Sequence, residues 1–292
     1  MSVHFVDMSG YPFVRMTGKE SLDLLQRIST NDLTPLKSGE RVQTLLTNDK
    51  GKIVDAVSIF PLGIDDLLLA GSNPSPSTLK GWIEKFIIME EITIKDVTSE
   101  NFSLLLFGSN QELQEVEHRI GPNCVRETWA GTVLLRMIGE KAQFDYVIRN
   151  LSSLGVGREL PGMFEEYRIS NGIPAFPCEL STSYNPLEAG LNHLISWTKG
   201  CYVGQEVIAR LDTYKKVQRK LVRFRLDNHP RALPAAIMSG AEEAGLLTSL
   251  STIRGVGGFA GLGYLKTAHL NRLESLSISQ AGQNIRVEPA LE

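Results

Sequence analysis

The string Lys199-Gly200-Cys201-Tyr202-Val203-Gly204-Gln205-Glu206 gathers a thiol, a phenol, an amine and a carboxylate within eight positions. Gly200 and Gly204 can take backbone conformations closed to other residues, so they can fix the directions of Cys201 and Tyr202. A thiol attacks only as thiolate, and Lys199 beside it, with Lys215 or Arg210 if the fold returns them, would lower its pKa. The plain alternative makes Cys201 a small hydrophobe buried in a tight turn. Cys124, Cys178 and Cys201 are too widely spaced for a zinc site or a disulfide framework, and no metal is expected. His4, His118, His193, His229 and His269 are scattered and receive no role.

The elements that must hold this string alternate. Thr17 and Glu20 have capping-box spacing ahead of Leu22, Leu24, Leu25 and Ile28, which predicts a helix from Gly18 to Ile28 after a strand at Phe13 to Met16. Two β-rich runs, Val42 to Thr47 and Lys52 to Phe60, flank the turn Asn48-Asp49-Lys50-Gly51 and predict a hairpin. Further strands are expected at Leu67 to Ala70, Ile92 to Lys95, Ser103 to Phe107, Val133 to Met137 and Phe144 to Ile148. Helices are expected from Ser75 to Ile87, from Gln111 to Ile120, and after Pro161-Gly162 as far as Gly172. Period-two patterning from Arg219 to Leu226 and a Gly-rich tail from Gly245 to Leu265 predict a closing β-domain. No Gly-rich phosphate loop follows the first strand, so the pattern is α+β with split strand-helix-strand units, not a doubly wound nucleotide fold.

With 292 residues, 42% of them hydrophobic, the chain has material for two or three cores. A net charge of −3 gives no global field for a polyanion. No apolar stretch reaches membrane-span length and no export signal opens the chain, so a cytoplasmic protein without a membrane is expected.

KGCYVGQE reproduces the Lys-Gly-Cys-Tyr-x-Gly-Gln-Glu signature of YgfZ-type proteins, whose mitochondrial relatives serve iron-sulfur cluster assembly. The run RISNGIPAFPCELSTSYNPLEAGL resembles the stretch of the wider glycine-cleavage aminomethyltransferase superfamily that lines a folate pocket, and TNDLTPLKSGE and NDKGKIVDA are also similar. The resemblance implies a three-domain folate-binding fold: a discontinuous core of residues 1–40 and 153–212, a ferredoxin-like α+β domain of 41–152, and a small C-terminal β-barrel of 213–292. It places Glu188 where a carboxylate holds the pteridine, which suits an acid that can accept paired hydrogen bonds from an amino-pyrimidine edge. It places Lys216 at a basic folate contact where the aminomethyltransferases carry Arg, and Tyr11 and Phe164 as aromatics against the ring. Those enzymes carry two adjacent aspartates after the hairpin glycine, one of them needed for transfer; here Asp55 is followed by Ala56.

The resemblance therefore implies a tetrahydrofolate-binding accessory protein that supports iron-sulfur cluster assembly or repair in client enzymes, including tRNA-modifying ones, with Cys201 as the reactive group. A tetrahydrofolate-dependent aminomethyl or one-carbon transferase is the alternative. The expected partners are a reduced folate and iron-sulfur client or assembly proteins. The basic cluster Arg210, Lys215, Lys216, Arg219, Lys220, Arg223 and Arg225 could attract the glutamate tail of folate or a phosphate backbone, or be a solvated strand face; nucleic acid is not required.

Overall fold

The computed structural model describes residues 3–37, 40–120, 124–255, 257–270, 276–280 and 283–289. In chain order the elements are β1 (His4–Asp7), β2 (Phe13–Thr17), α1 (Ser21–Ile28), β3 (Val42–Thr47), β4 (Ile53–Gly63), β5 (Asp66–Gly71), α2 (Pro76–Glu84) and β6 (Thr93–Asp96). Then come β7 (Asn101–Phe107), α3 (Asn110–Ile120), β8 (Cys124–Trp129), β9 (Thr132–Glu140), α4 (Phe144–Ser153), β10 (Gly157–Arg158), α5 (Met163–Ser170) and α6 (Gln205–Thr213). The tail supplies β11 (Arg219–Leu226), β12 (Ala235–Ser239), β13 (Glu242–Gly255), β14 (Gly258–Lys266), β15 (Leu276–Gln280) and β16 (Gln283–Pro289).

These strands make two five-stranded sheets, β3-β4-β5-β2-β6 and β10-β1-β7-β9-β8, and a closed barrel β11-β14-β13-β12-β15-β16. The chain is thus an α+β protein with a C-terminal β-barrel, as expected. The split unit β7-α3-β8-β9-α4-β10 has ferredoxin-like connectivity, with β1 inserted beside β7. β2 pairs with β5 and β6, so residues 13–17 share a sheet with strands of 42–96, while β1 joins the sheet of 101–158.

Local chemistry explains the elements. β4 is buried along its first eight residues because both faces are covered: Val54, Val57 and Ile59 pack under Leu24, Leu25 and Ile83, while Ile53 and Ala56 face Leu105 and Trp129 of the other sheet. Two expectations fail. α1 starts at Ser21 without a side-chain cap, and Glu20 instead accepts the backbone N–H of Glu91. Residues 144–148 are helix, not strand: Phe144, Val147, Ile148 and Leu151 recur at helical spacing and seat α4 on Phe102 and Leu104.

Candidate functional site

A cavity of about 420 Å³ opens between the second sheet, α5 and the segment 173–180. Tyr11, Phe164 and Trp129 give it aromatic surface, and Arg136 and Glu127 contribute buried charge. Phe164 is fixed against Phe107, with ring centroids 5.2 Å apart. Burial raises the Tyr11 phenol above its ordinary pKa, against the opposing field of Arg136. A larger groove of about 550 Å³, lined by Arg15, Glu40, Phe60 and Glu140 among others, contains none of the expected site residues.

Glu127 and Arg136 form a buried pair between β8 and β9. Arg136 Nε donates to Glu127 Oε1 and Nη2 to Oε2 at 3.2 Å, while Ser58 Oγ and Trp129 Nε1 donate to the same carboxylate at 2.6 and 3.2 Å. Sequence reading passed over both residues; their signal is a charged side chain inside an otherwise apolar strand, as in Leu134-Leu135-Arg136-Met137. Cys178 also lines the cavity, and burial, then Glu179, raises its thiol pKa, so it stays protonated.

The expected site residues do not meet in one place. Tyr11 and Phe164 line the cavity, whereas Glu188, Lys216 and Cys201 do not. Glu188 is buried, and its carboxylate accepts from Asn185 N at 2.9 Å, Arg219 Nε at 3.1 Å and Lys52 Nζ at 3.3 Å. Arg219 in turn stacks over Tyr184, itself stacked on Tyr264 at 3.8 Å. Here Glu188 joins the hairpin, the loop before α6 and the barrel. Lys216 is exposed, its ammonium 5.5 Å from the Tyr214 ring.

The signature forms a braced turn. Cys201 is exposed. Lys199 is buried and does not serve the thiol: its ammonium donates to the carbonyls of Gln26, Ser29 and Asn31 at 2.7, 2.9 and 2.6 Å. These oxygens gather at the C-terminal end of α1, where helix carbonyls lack partners and attract a cation. Burial nonetheless pushes the Lys199 pKa down to about 8. Tyr202 packs with Leu187, Ile195 and Ile208. Gly204 has φ +84°, and a Cβ there would stand 2.5 Å from the Asn48 carbonyl, so this glycine permits α6 to dock on the hairpin turn. Gln205 is half-buried and opens α6; Glu206 is exposed.

Residues 1–120 match the GCVT N-terminal domain family. A chloroplastic protein of Arabidopsis thaliana that carries the name of a transferase is 28% identical over 284 residues, covering 89% of this chain and 65% of its own length. The aminomethyltransferase of Halothermothrix orenii is 23% identical over 303 residues, 93% of this chain and 82% of that protein. The tRNA-modifying protein YgfZ of Colwellia psychrerythraea is 23% identical over 232 residues, 75% of this chain and 70% of that protein. The chain is similar to aminomethyltransferases and to the YgfZ-type proteins related to them. Its fold agrees: the glycine-cleavage aminomethyltransferase T of Bartonella henselae superposes with a TM-score of 0.80 at 16% identity, over 98% of this chain and 84% of that one.

Asp55 is fully buried; its Oδ1 accepts the N–H groups of Ala56, Ser72 and Asn73 at 2.8, 3.0 and 2.8 Å, while Oδ2 has no partner among the described residues. Burial raises its pKa to about 7. Asp55 does not line the cavity; it fastens the 72–73 turn, whose Ser72 does. No helix among the described residues is long and apolar enough to cross a membrane.

Proposed function

We propose that the chain binds a reduced folate in the central cavity and serves in the cytoplasm as an accessory protein for iron-sulfur enzymes, with Cys201 offered to a protein partner. The observation that supports the ligand is the cavity itself: about 420 Å³, with aromatic surface from Tyr11, Phe164 and Trp129 and a buried guanidinium, which fits a flat heteroaromatic ring with a polar edge. Tetrahydrofolate would supply one-carbon carrying capacity at its ring nitrogens. The chain's own contribution is to stack, orient and desolvate the ring.

Cys201 stands outside this cavity on a turn braced by Lys199, Tyr202 and Gly204. That placement favours transient contact with a partner over chemistry on the bound ring. The three cysteines fall short of the four thiolates of a typical cluster, so no resident cluster is proposed. Anaerobic calorimetry with tetrahydrofolate tests the ligand; saturable heat is expected, and a flat trace removes the reading. The transferase alternative loses ground because Ala56 stands where the resemblance expects the second aspartate, and Asp55 does not line the cavity, its Oδ1 being held by three backbone amides. Formation of methylene-tetrahydrofolate from an aminomethyl donor by the purified protein would restore it.

A further inference from the structure

We infer that Arg136 is the specificity-determining residue of the central cavity, and that it selects a ring carrying a neutral carbonyl acceptor over one carrying an amino group at the same position. The inference rests on the folate reading and deepens it.

A guanidinium has five N–H donors and no acceptor. In Arg136 the Nε hydrogen goes to Glu127 Oε1, the two Nη2 hydrogens to Glu127 Oε2 at 3.2 Å and Ser72 Oγ at 3.3 Å, and one Nη1 hydrogen to Ser103 Oγ at 3.1 Å. Four donors are thereby committed. The second Nη1 hydrogen has no acceptor among the described residues, although the side chain is 2% exposed and lines the cavity. A buried donor without an acceptor is costly, so a ligand that supplies one gains the difference.

The sign of the selection follows from Glu127. Its two oxygens already accept four donors, from Ser58, Trp129 and twice from Arg136, so it offers no room for a ligand amino group. The pair is also neutral as a unit, so no net field calls for an anion. What remains is one N–H awaiting a neutral acceptor beside aromatic surface. A pterin with oxygen at its pyrimidinone 4-position meets that demand. The 4-amino analogue would present N–H to N–H and leave both unpaired, and a site built to hydrogen-bond one group rejects the substitute strongly for this reason.

The test compares tetrahydrofolate with its 4-amino counterpart, tetrahydroaminopterin, by anaerobic calorimetry at a mildly alkaline pH where both rings are neutral. The wild type is expected to prefer the 4-oxo ligand by about tenfold or more. Removing Arg136 alone would strand the Glu127 charge, so the variant pairs Arg136→Met with Glu127→Gln. The preference is expected to collapse towards unity in that variant while some ring binding remains. A general loss of packing would weaken both ligands together and leave their ratio intact, and that result overturns the inference. Equal binding of the two ligands by the wild type also overturns it and leaves the folate reading standing; this comparison decides the matter even if the paired variant does not fold. Binding of neither ligand by the wild type overturns both.

Discussion

The Lys199 ammonium lies against three carbonyls at the end of α1 and not beside the thiol that follows it by two positions. In a turn, adjacency in sequence sends side chains in different directions, and unpaired helix-end carbonyls are the stronger attraction for a cation. Cys201 is consequently a surface group, and Cys201→Ser should change unfolding free energy by less than about 0.5 kcal/mol. Client-enzyme activity in cells lacking the native copy should fall with the same exchange; undiminished activity would take the partner role away from this thiol. Asp55 gives a pH signature. Its folded pKa, about 7, lies above the ordinary value of 3.8, so the folded state holds the proton where the unfolded state has lost it. Stability contributed by this group is therefore full in acid, declines as pH rises from about 4 to 7, and levels off above that. Asp55→Asn keeps an oxygen for the three amides and removes the titration. Denaturant melts across that range should show the wild type losing ground to the variant by an amount on the order of a few kcal/mol, and parallel curves would show that Asp55 does not titrate there.

α6 and the β3-β4 hairpin meet through two glycines, Gly51 and Gly204, whose backbones approach too closely for a Cβ on Gly204. Gly204→Ala combines a positive φ with a Cβ 2.5 Å from the Asn48 carbonyl and 2.9 Å from Gly51 Cα, all backbone contacts that cannot swing aside. A thermal melt should show destabilisation of about 1–3 kcal/mol, with loss of protease protection concentrated in the 199–213 segment. The same change at Gly131, also at positive φ but with open space around its Cβ, should cost less, and equal effects would deny the close-approach explanation. The hairpin was legible from its turn composition and the barrel strands from their alternation. Residues 144–153 are less legible, because Phe144, Val147 and Ile148 alone fit either period and only Leu151 settles the helix. α6 carries a weaker signal, since Val207, Ile208 and Leu211 share helical spacing but span little more than one turn.

The barrel is tied to the rest of the molecule through charge buried at the seam. Arg168 of α5 donates to Glu179 at 3.0 Å, to Ser249 of β13 at 2.9 Å and to Glu165, while Tyr264 of β14 donates to the Glu179 carbonyl at 2.7 Å. Arg168→Met would leave the Glu179 carboxylate buried without its cation, at a cost of about 3–5 kcal/mol. Pairing it with Glu179→Gln should recover much of that in a double-mutant cycle, and simple additivity of the two changes would show that the pair is not coupled. Because Arg168 also lines the cavity, occupancy and barrel docking should reinforce each other. Tetrahydrofolate should raise the melting temperature in a concentration-dependent way, and Arg168→Met should shrink the rise.

What the sequence determined by itself was whatever lies in local order: strand and helix periods, the turn of the hairpin, the α+β class with a closing β-domain, and a signature that carries a family resemblance. What only the tertiary structure decided was company. Tyr11 and Phe164 share a cavity with Arg136 and Glu127, Glu188 is spent on Lys52 and Arg219, and Cys201 faces outward. The physical reason is that hydrogen-bond partners and burial are set by contacts between residues far apart in the chain. A residue's type says what it can bind, but its neighbours in space decide whether that capacity is already used.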